Sequence, residues 1–350
     1  MKYFLLSALL SSALLLSAQT EVVNSQSRAI FPNGITYSLP KTVIVVKIQA
    51  IKTIKLVGPY YQYTERYLGT RDVILKNSIT WSVKNVKVTT KAIPDEQNIY
   101  KIKPDLASAT TFVTLTPEGL LYGLNVPLPN VSNQSDTVST AAPEMPSLEF
   151  NNLILTEDLL QANSIARMAE VAAKQIYHLR DSRMSLITGE LDTMPDGSAM
   201  ALMLKKMDQS EKDLMELFIG KTVTIPTTVT FEIIPAQEVK NEVLFRLSTE
   251  NGVVARDDLS GQPYYLSVND VTNKNSAGSV DRGSDNGLYY RLPGQAVVTL
   301  SDPTGNVIFR KSLTLDQFGS VQALPANIFN KNNLKVRIDP ATGALLSIEK

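Results

Sequence analysis

The chain carries one histidine, His178, and no cysteine. Structural zinc needs four nitrogen or sulfur ligands, and a Ser-His-Asp triad needs a histidine that a carboxylate orients. His178 has only Asp and Glu as possible helpers, so both chemistries are close to excluded. It reads instead as a partly exposed position on a helix. Carboxylate chemistry remains open. Glycoside hydrolysis uses an acid and a base about 5–9.5 Å apart, but among 34 Asp and Glu no spacing selects a pair. Residues 269–287 gather oxygen donors at Asp270, Asn273, Asn275, Asp281, Asp285 and Asn286. That set suits calcium but lacks the spacing of the known calcium loop, and a solvated loop explains it equally well. No glycine-rich phosphate loop is present. The residues therefore assign no catalytic group, no cofactor and no metal.

Two clusters could instead meet a partner. Tyr60, Tyr61, Tyr63 and Tyr67 fall within eight residues. They either pack a short helix onto a sheet or form a surface that stacks on sugars or protein. Seven of the nine methionines, Met168, Met184, Met194, Met200, Met203, Met207 and Met215, fall in one segment. Methionine fills irregular cores and also lines adaptable binding grooves. The candidate partner surface is thus Tyr60, Tyr61, Tyr63, Tyr67, Met184, Met194, Met200 and Met203.

These methionines need helices to hold them. Apolar residues recur in steps of three and four at Leu159, Ala162, Ile165, Ala166, Ala169, Ala172, Ala173, Ile176, Leu179 and Leu186, which predicts one helix over 156–189. Thr156 is its N-cap, with Glu157 and Asp158 in the first turn, and Gly189 is its stop. A second helix starts at Asp196, just after Pro195, and carries Met200, Met203, Leu204, Met207, Leu214, Leu217 and Phe218 to Gly220. The short connection makes the two antiparallel neighbours. A turn centred near Thr193 would set Asp181 beside Lys205 and His178 beside Asp208. A helix over 156–189 would be about 50 Å long, more than one sandwich of about 130 residues can cover. The hairpin must therefore bridge two β units or overhang one.

Four strings in this region carry a resemblance: residues 176–183 (IYHLRDSR), 188–190 (TGE), 195–197 (PDG) and 217–220 (LFIG). Residues 58–63 (GPYYQY) and 66–69 (RYLG) add to it. Together they resemble an uncharacterised family of secreted proteins from the Bacteroides group of Gram-negative bacteria, over most of the mature chain. The resemblance implies export and an architecture. It brings no activity and no catalytic residues.

The flanking sequence is β-like. Candidate strands lie at 42–55, 79–90, 110–115 and 120–126 before the hairpin, and at 222–234, 242–248, 264–268, 288–300, 306–315, 334–338 and 344–348 after it. Pro and Gly mark turns at 116–119, 302–305 and 339–343. A short helix is expected near 59–68, with Pro59 at its first turn. The implied fold class is α+β: two antiparallel β-rich domains, the C-terminal one sandwich-like, with a long helical hairpin between them. The divisions are a signal peptide at 1–18, a β-rich domain at 19–126, a Pro/Ser/Thr linker at 127–150, the hairpin at 151–221 and a sandwich at 222–350.

Residues 1–18 have a basic start at Lys2, an apolar run and a small residue, Ala18, before Gln19, the pattern of a secretory signal. The run is too short to span a bilayer. The chain is expected in the periplasm or at the cell surface, with no transmembrane segment after signal cleavage. Formal charge is zero overall but uneven: 13 Lys and Arg against 7 Asp and Glu over 19–126, and 7 against 11 over 151–220. No basic, aromatic-interleaved motif for nucleic acid is present. The expected function is that of a secreted envelope protein, a binding or structural module that contacts another envelope protein or a glycan. The alternative is a carboxylate-dependent hydrolase such as a glycosidase.

Overall fold

A computed structural model of the chain describes residues 21–24, 34–103, 112–129, 147–150, 157–190, 196–273, 287–330 and 334–350. The proposed signal segment, most of the linker and most of the 269–287 loop lie outside the described residues. In chain order the elements are β1 (Glu21–Asn24), β2 (Ile35–Leu56), a 3-10 turn (Tyr61–Tyr63), α1 (Thr64–Leu68), β3 (Ser78–Lys103), β4 (Val113–Leu115), β5 (Leu121–Leu124), α2 (Glu157–Leu160), α3 (Ile165–Thr188) and α4 (Gly197–Ile219). There follow β6 (Lys221–Ile233), β7 (Val239–Ser248), β8 (Gly252–Val254), β9 (Gly261–Asp270), β10 (Leu288–Ser301), β11 (Val307–Leu324), a 3-10 turn (Ala326–Asn330), β12 (Lys335–Ile338) and β13 (Leu345–Glu349).

The class is α+β: several antiparallel sheets with a helical pair in the middle of the chain. The sheets run β1-β3-β2-β6, β11-β10-β9-β7-β8 and β13-β12-β5-β4. Strands from both sides of the helices share two of them. β6 pairs with β2 from Ile233 back to Lys221, and β12 pairs with β5. The turns expected at 116–119, 302–305 and 339–343 are formed, closed by Gly119 N to Thr116 O, Gly305 N to Asp302 O and Gly343 N to Asp339 O.

Two long hairpins, β2–β3 and β10–β11, pass through two separate cores. One core gathers Tyr37, Leu39, Tyr100, Leu124, Leu288, Phe329 and Val336. The other gathers Ile44, Val46, Ile48, Phe245, Val268, Val298 and Leu315. β2 and β3 run well past their expected ends because Pro40 and Pro94 sit where the register breaks, so neither has to donate to an intact ladder. Both hairpins break alike. Leu39 alone stands against residues 95–98, and Pro293 alone against residues 316–319. A break of this kind bends a strand and re-aims its side chains, and both fall between the two cores.

The helix expected over 156–189 is divided. Ser164 takes an extended conformation (φ −149°, ψ 151°) and its hydroxyl accepts from Arg167 N, starting α3 afresh at Ile165. The N-cap preference of Ser164 outweighs the apolar period that runs across it. α3 has 24 residues, about 36 Å. The ends match expectation. Gly189 is left-handed (φ 78°), and the Asp196 carboxylate caps α4 by accepting from Ala199 N at 2.8 Å. That bond and the Ser198 hydroxyl hold the Asp196 carboxyl below its ordinary range.

Candidate functional site

The segment 58–74 is built against the C-terminus of α4. A helix leaves its last carbonyls without partners. Here Tyr60 N donates to Leu217 O at 2.8 Å, the Thr64 hydroxyl to Phe218 O at 3.0 Å, and Ile74 N to Ile219 O at 2.9 Å. Gly58 permits the approach, since a Cβ there would lie 2.3 Å from Leu217 O. Gly220 (φ 90°) then turns α4 directly into β6.

The tyrosines serve this cap. Tyr60 is buried, its ring edge-on to Phe218 at 5.5 Å. Tyr63 and Tyr67 pack partly against the same core, and Tyr177 donates its hydroxyl to Tyr67 O at 2.7 Å. Tyr61 is half-buried, and Gln62 donates its side-chain amide to the Tyr61 hydroxyl. Sequence spacing shows four tyrosines in a row but not the helix end that they cover.

At the hairpin base Ala169, Ala172, Ala173 and Ile176 of α3 interlock with Leu214, Leu217 and Phe218 of α4. Alanines let the axes approach closely, and Met168 and Met215 fill the margins. No strand residue belongs to this core; the two helices pack on each other and on the 58–74 segment. Among the described residues the ion pairs between the helices are Arg180–Glu211 at 2.6 Å, Arg183–Asp208 at 2.7 Å and Arg183–Glu211 at 3.0 Å. The expected pairs were Asp181–Lys205 and His178–Asp208. Side chains on a helix lean toward its N-terminus. In an antiparallel pair each α3 residue therefore meets an α4 partner nearer the base than equal height would give. His178 is exposed.

Toward the tip the packing thins. Leu186 is still buried, but Met184 is 61%, Ile187 59%, Leu202 58% and Met203 43% exposed. Met200 is half-buried, and Met194 lies outside the described residues. Ile165, expected on the buried stripe, is also exposed, because it is the first residue after the break.

An open cleft of about 640 Å³ lies where β7, β9 and the β11 break meet, lined by Glu238, Lys240, Asp270, Thr272, Gln317 and Phe318. Its polar groups largely hold one another. Gln317 spans to the backbone of Thr42 and Pro235, and Glu238 accepts from Asp270 N. Behind Gln317 lies a sealed polar cluster. Arg291 of β10 forms an ion pair with Asp95 of β3, and Asp316 of β11 lies beside it with no exposed surface. Sequence reasoning missed this cluster, since Asp95 and Arg291 are 196 positions apart. Among the described residues no group of three or more His, Cys, Asp or Glu is placed to hold a metal ion, and no helix is long and apolar enough to cross a membrane.

The model of a domain of unknown function (DUF4831) matches residues 33–346, and the chain belongs to that family. Neither a curated protein nor a solved structure matches it.

Proposed function

We propose that this family member is an exported cell-envelope protein, periplasmic or at the surface, that acts as a non-catalytic contact module through the free end of its helical hairpin. The observation that carries this reading is the pairing of a packed base with a bare tip. Met184, Ile187, Leu202 and Met203 stay largely exposed on helices whose other end is buried. Large exposed apolar side chains gathered at one end of a rigid support are candidates for an interaction site. Two of the four are methionines, which adapt to a partner's shape. The charged n-region, apolar run and Ala18 support export. The partner class is another envelope protein or a glycan, and apolar side chains favour protein. The hydrolase alternative gains nothing from the sealed carboxylates, because Asp95 and Asp316 are buried and cannot meet a substrate.

A photo-reactive residue at Leu202, in the native cell, tests this. Illumination is expected to link the chain to a discrete envelope component. The same probe at Thr228, exposed on β6, is expected to link nothing. Equal results at the two positions would overturn the reading.

A further inference from the structure

The sealed cluster joins all three sheets. From β10, Arg291 donates its backbone N–H to Gly343 O at 2.8 Å in the β12–β13 turn, one Nη to Asp316 O at 3.3 Å, and the other Nη to the Asp95 carboxylate. From β11, Asp316 N donates to the Thr42 hydroxyl of β2 at 3.0 Å. Arg291, Asp95, Thr42 and Asp316 are all buried.

The two aspartates open matching breaks but have different surroundings. Asp95 is served by its own loop, accepting from Gln97 N at 3.1 Å and from the Asn98 side chain at 2.8 Å, besides Arg291. In the second break Phe318 and Gly319 stand where Gln97 and Asn98 stand in the first. Neither Asp316 carboxyl oxygen has a hydrogen-bond partner, and neither has Arg291 Nε. The Thr42 hydroxyl lies near the carboxyl without bonding geometry to it. A buried acid without donors is easier to hold neutral than charged.

The charge balance agrees. With Asp316 neutral, Arg291 faces the single buried anion Asp95. With Asp316 ionised, one guanidinium serves both Asp95 and Asp316, and Asp339 of the β12–β13 turn adds a repelling negative charge to Asp316. β2 offers only the Thr42 hydroxyl. Tyr100 beyond Asp95 stays a neutral phenol, pushed up to about 12 by burial.

We infer that Asp316 makes this junction a proton-operated latch, closed when its carboxyl is protonated and loosened, first at the β12–β13 turn, when it ionises. Burial, reinforced by Asp339 and opposed by Thr42 and Arg291, pushes the carboxyl up to about 6. The unfolded carboxyl titrates near its ordinary value, about 3.9. The folded chain therefore binds more protons between the two values. The latch is firm below that ordinary value and weakens as pH rises through about 6.

Amide exchange on the full chain, corrected for the intrinsic rate at each pH, tests this. Between pH 5 and pH 8, peptides covering 288–292 and 339–344 are expected to lose about tenfold or more of their protection. Peptides covering 169–176 in the hairpin base are expected to keep theirs. Asp316→Asn should abolish the pH dependence and stay protected at pH 8, and Asp339→Asn should leave it in place. If Asp316→Asn fails to fold, the wild-type contrast between the two regions still decides. Uniform protection across pH in wild type, or an unchanged pH dependence in Asp316→Asn, would overturn the inference.

Discussion

The base and the tip of the helical hairpin are two ends of the same pair of helices with opposite surroundings. At the base, alanines bring α3 and α4 together, Phe218 and Ile176 have no exposed surface, and a separate segment satisfies the last carbonyls of α4. At the tip, Leu186 apart, large apolar side chains of similar chemistry stay exposed, as at Met184, Ile187, Leu202 and Met203. A helical period alone does not bury a residue. What decides is whether another element reaches the stripe, and the 58–74 segment reaches only the base.

Breaking the base should have the largest effect. Ile176→Asp would place an unpaired charge in a core with no exposed surface, at a cost of about 3–5 kcal/mol. Loss of helical circular dichroism or a large fall in melting temperature checks it. Unchanged helicity would mean that this face is not packed. Thr64→Val should act more mildly. It keeps the shape but removes the hydroxyl that donates to Phe218 O, leaving a buried carbonyl without that donor. A loss of about 1–2 kcal/mol in denaturant unfolding is expected. A neutral result would mean that water caps α4 equally well. The smallest stability effect belongs to the tip. Met184→Gln, Leu202→Gln and Met203→Gln together should shift stability by no more than about 0.5 kcal/mol while removing the photo-cross-link. Strong destabilisation by the triple variant would mean that the tip is core after all.

The contrast was only partly legible in the residues. Caps and stops at Gly189, Asp196 and Gly220 could be read, because each depends on the local backbone. The break at Ser164 could also have been read from its N-cap chemistry, but the apolar period across it pointed to one continuous helix. Strand positions were recognisable, yet their lengths were not. β2 and β3 run on past the expected 42–55 and 79–90 because a register break lets each strand continue through Pro40 and Pro94. The tyrosines of 60–67 allowed either packing or a surface, because nothing in their spacing shows the end of α4. The cluster of Asp95, Arg291 and Asp316 was beyond reach, since only the pairing of distant hairpins brings those residues together.

Methionine oxidation tests the central account most directly, because reporters lie at both ends of the hairpin. Brief peroxide treatment followed by peptide mass mapping should be run on purified protein and on intact envelopes. In purified protein Met184 and Met203 should oxidise rapidly, with Met168 and Met215 slow. In intact envelopes the tip pair should also become slow, covered by its partner. Equal reactivity of Met168, Met215 and the tip residues in purified protein would contradict the packed base. Tip methionines as reactive in envelopes as in solution would contradict the contact surface.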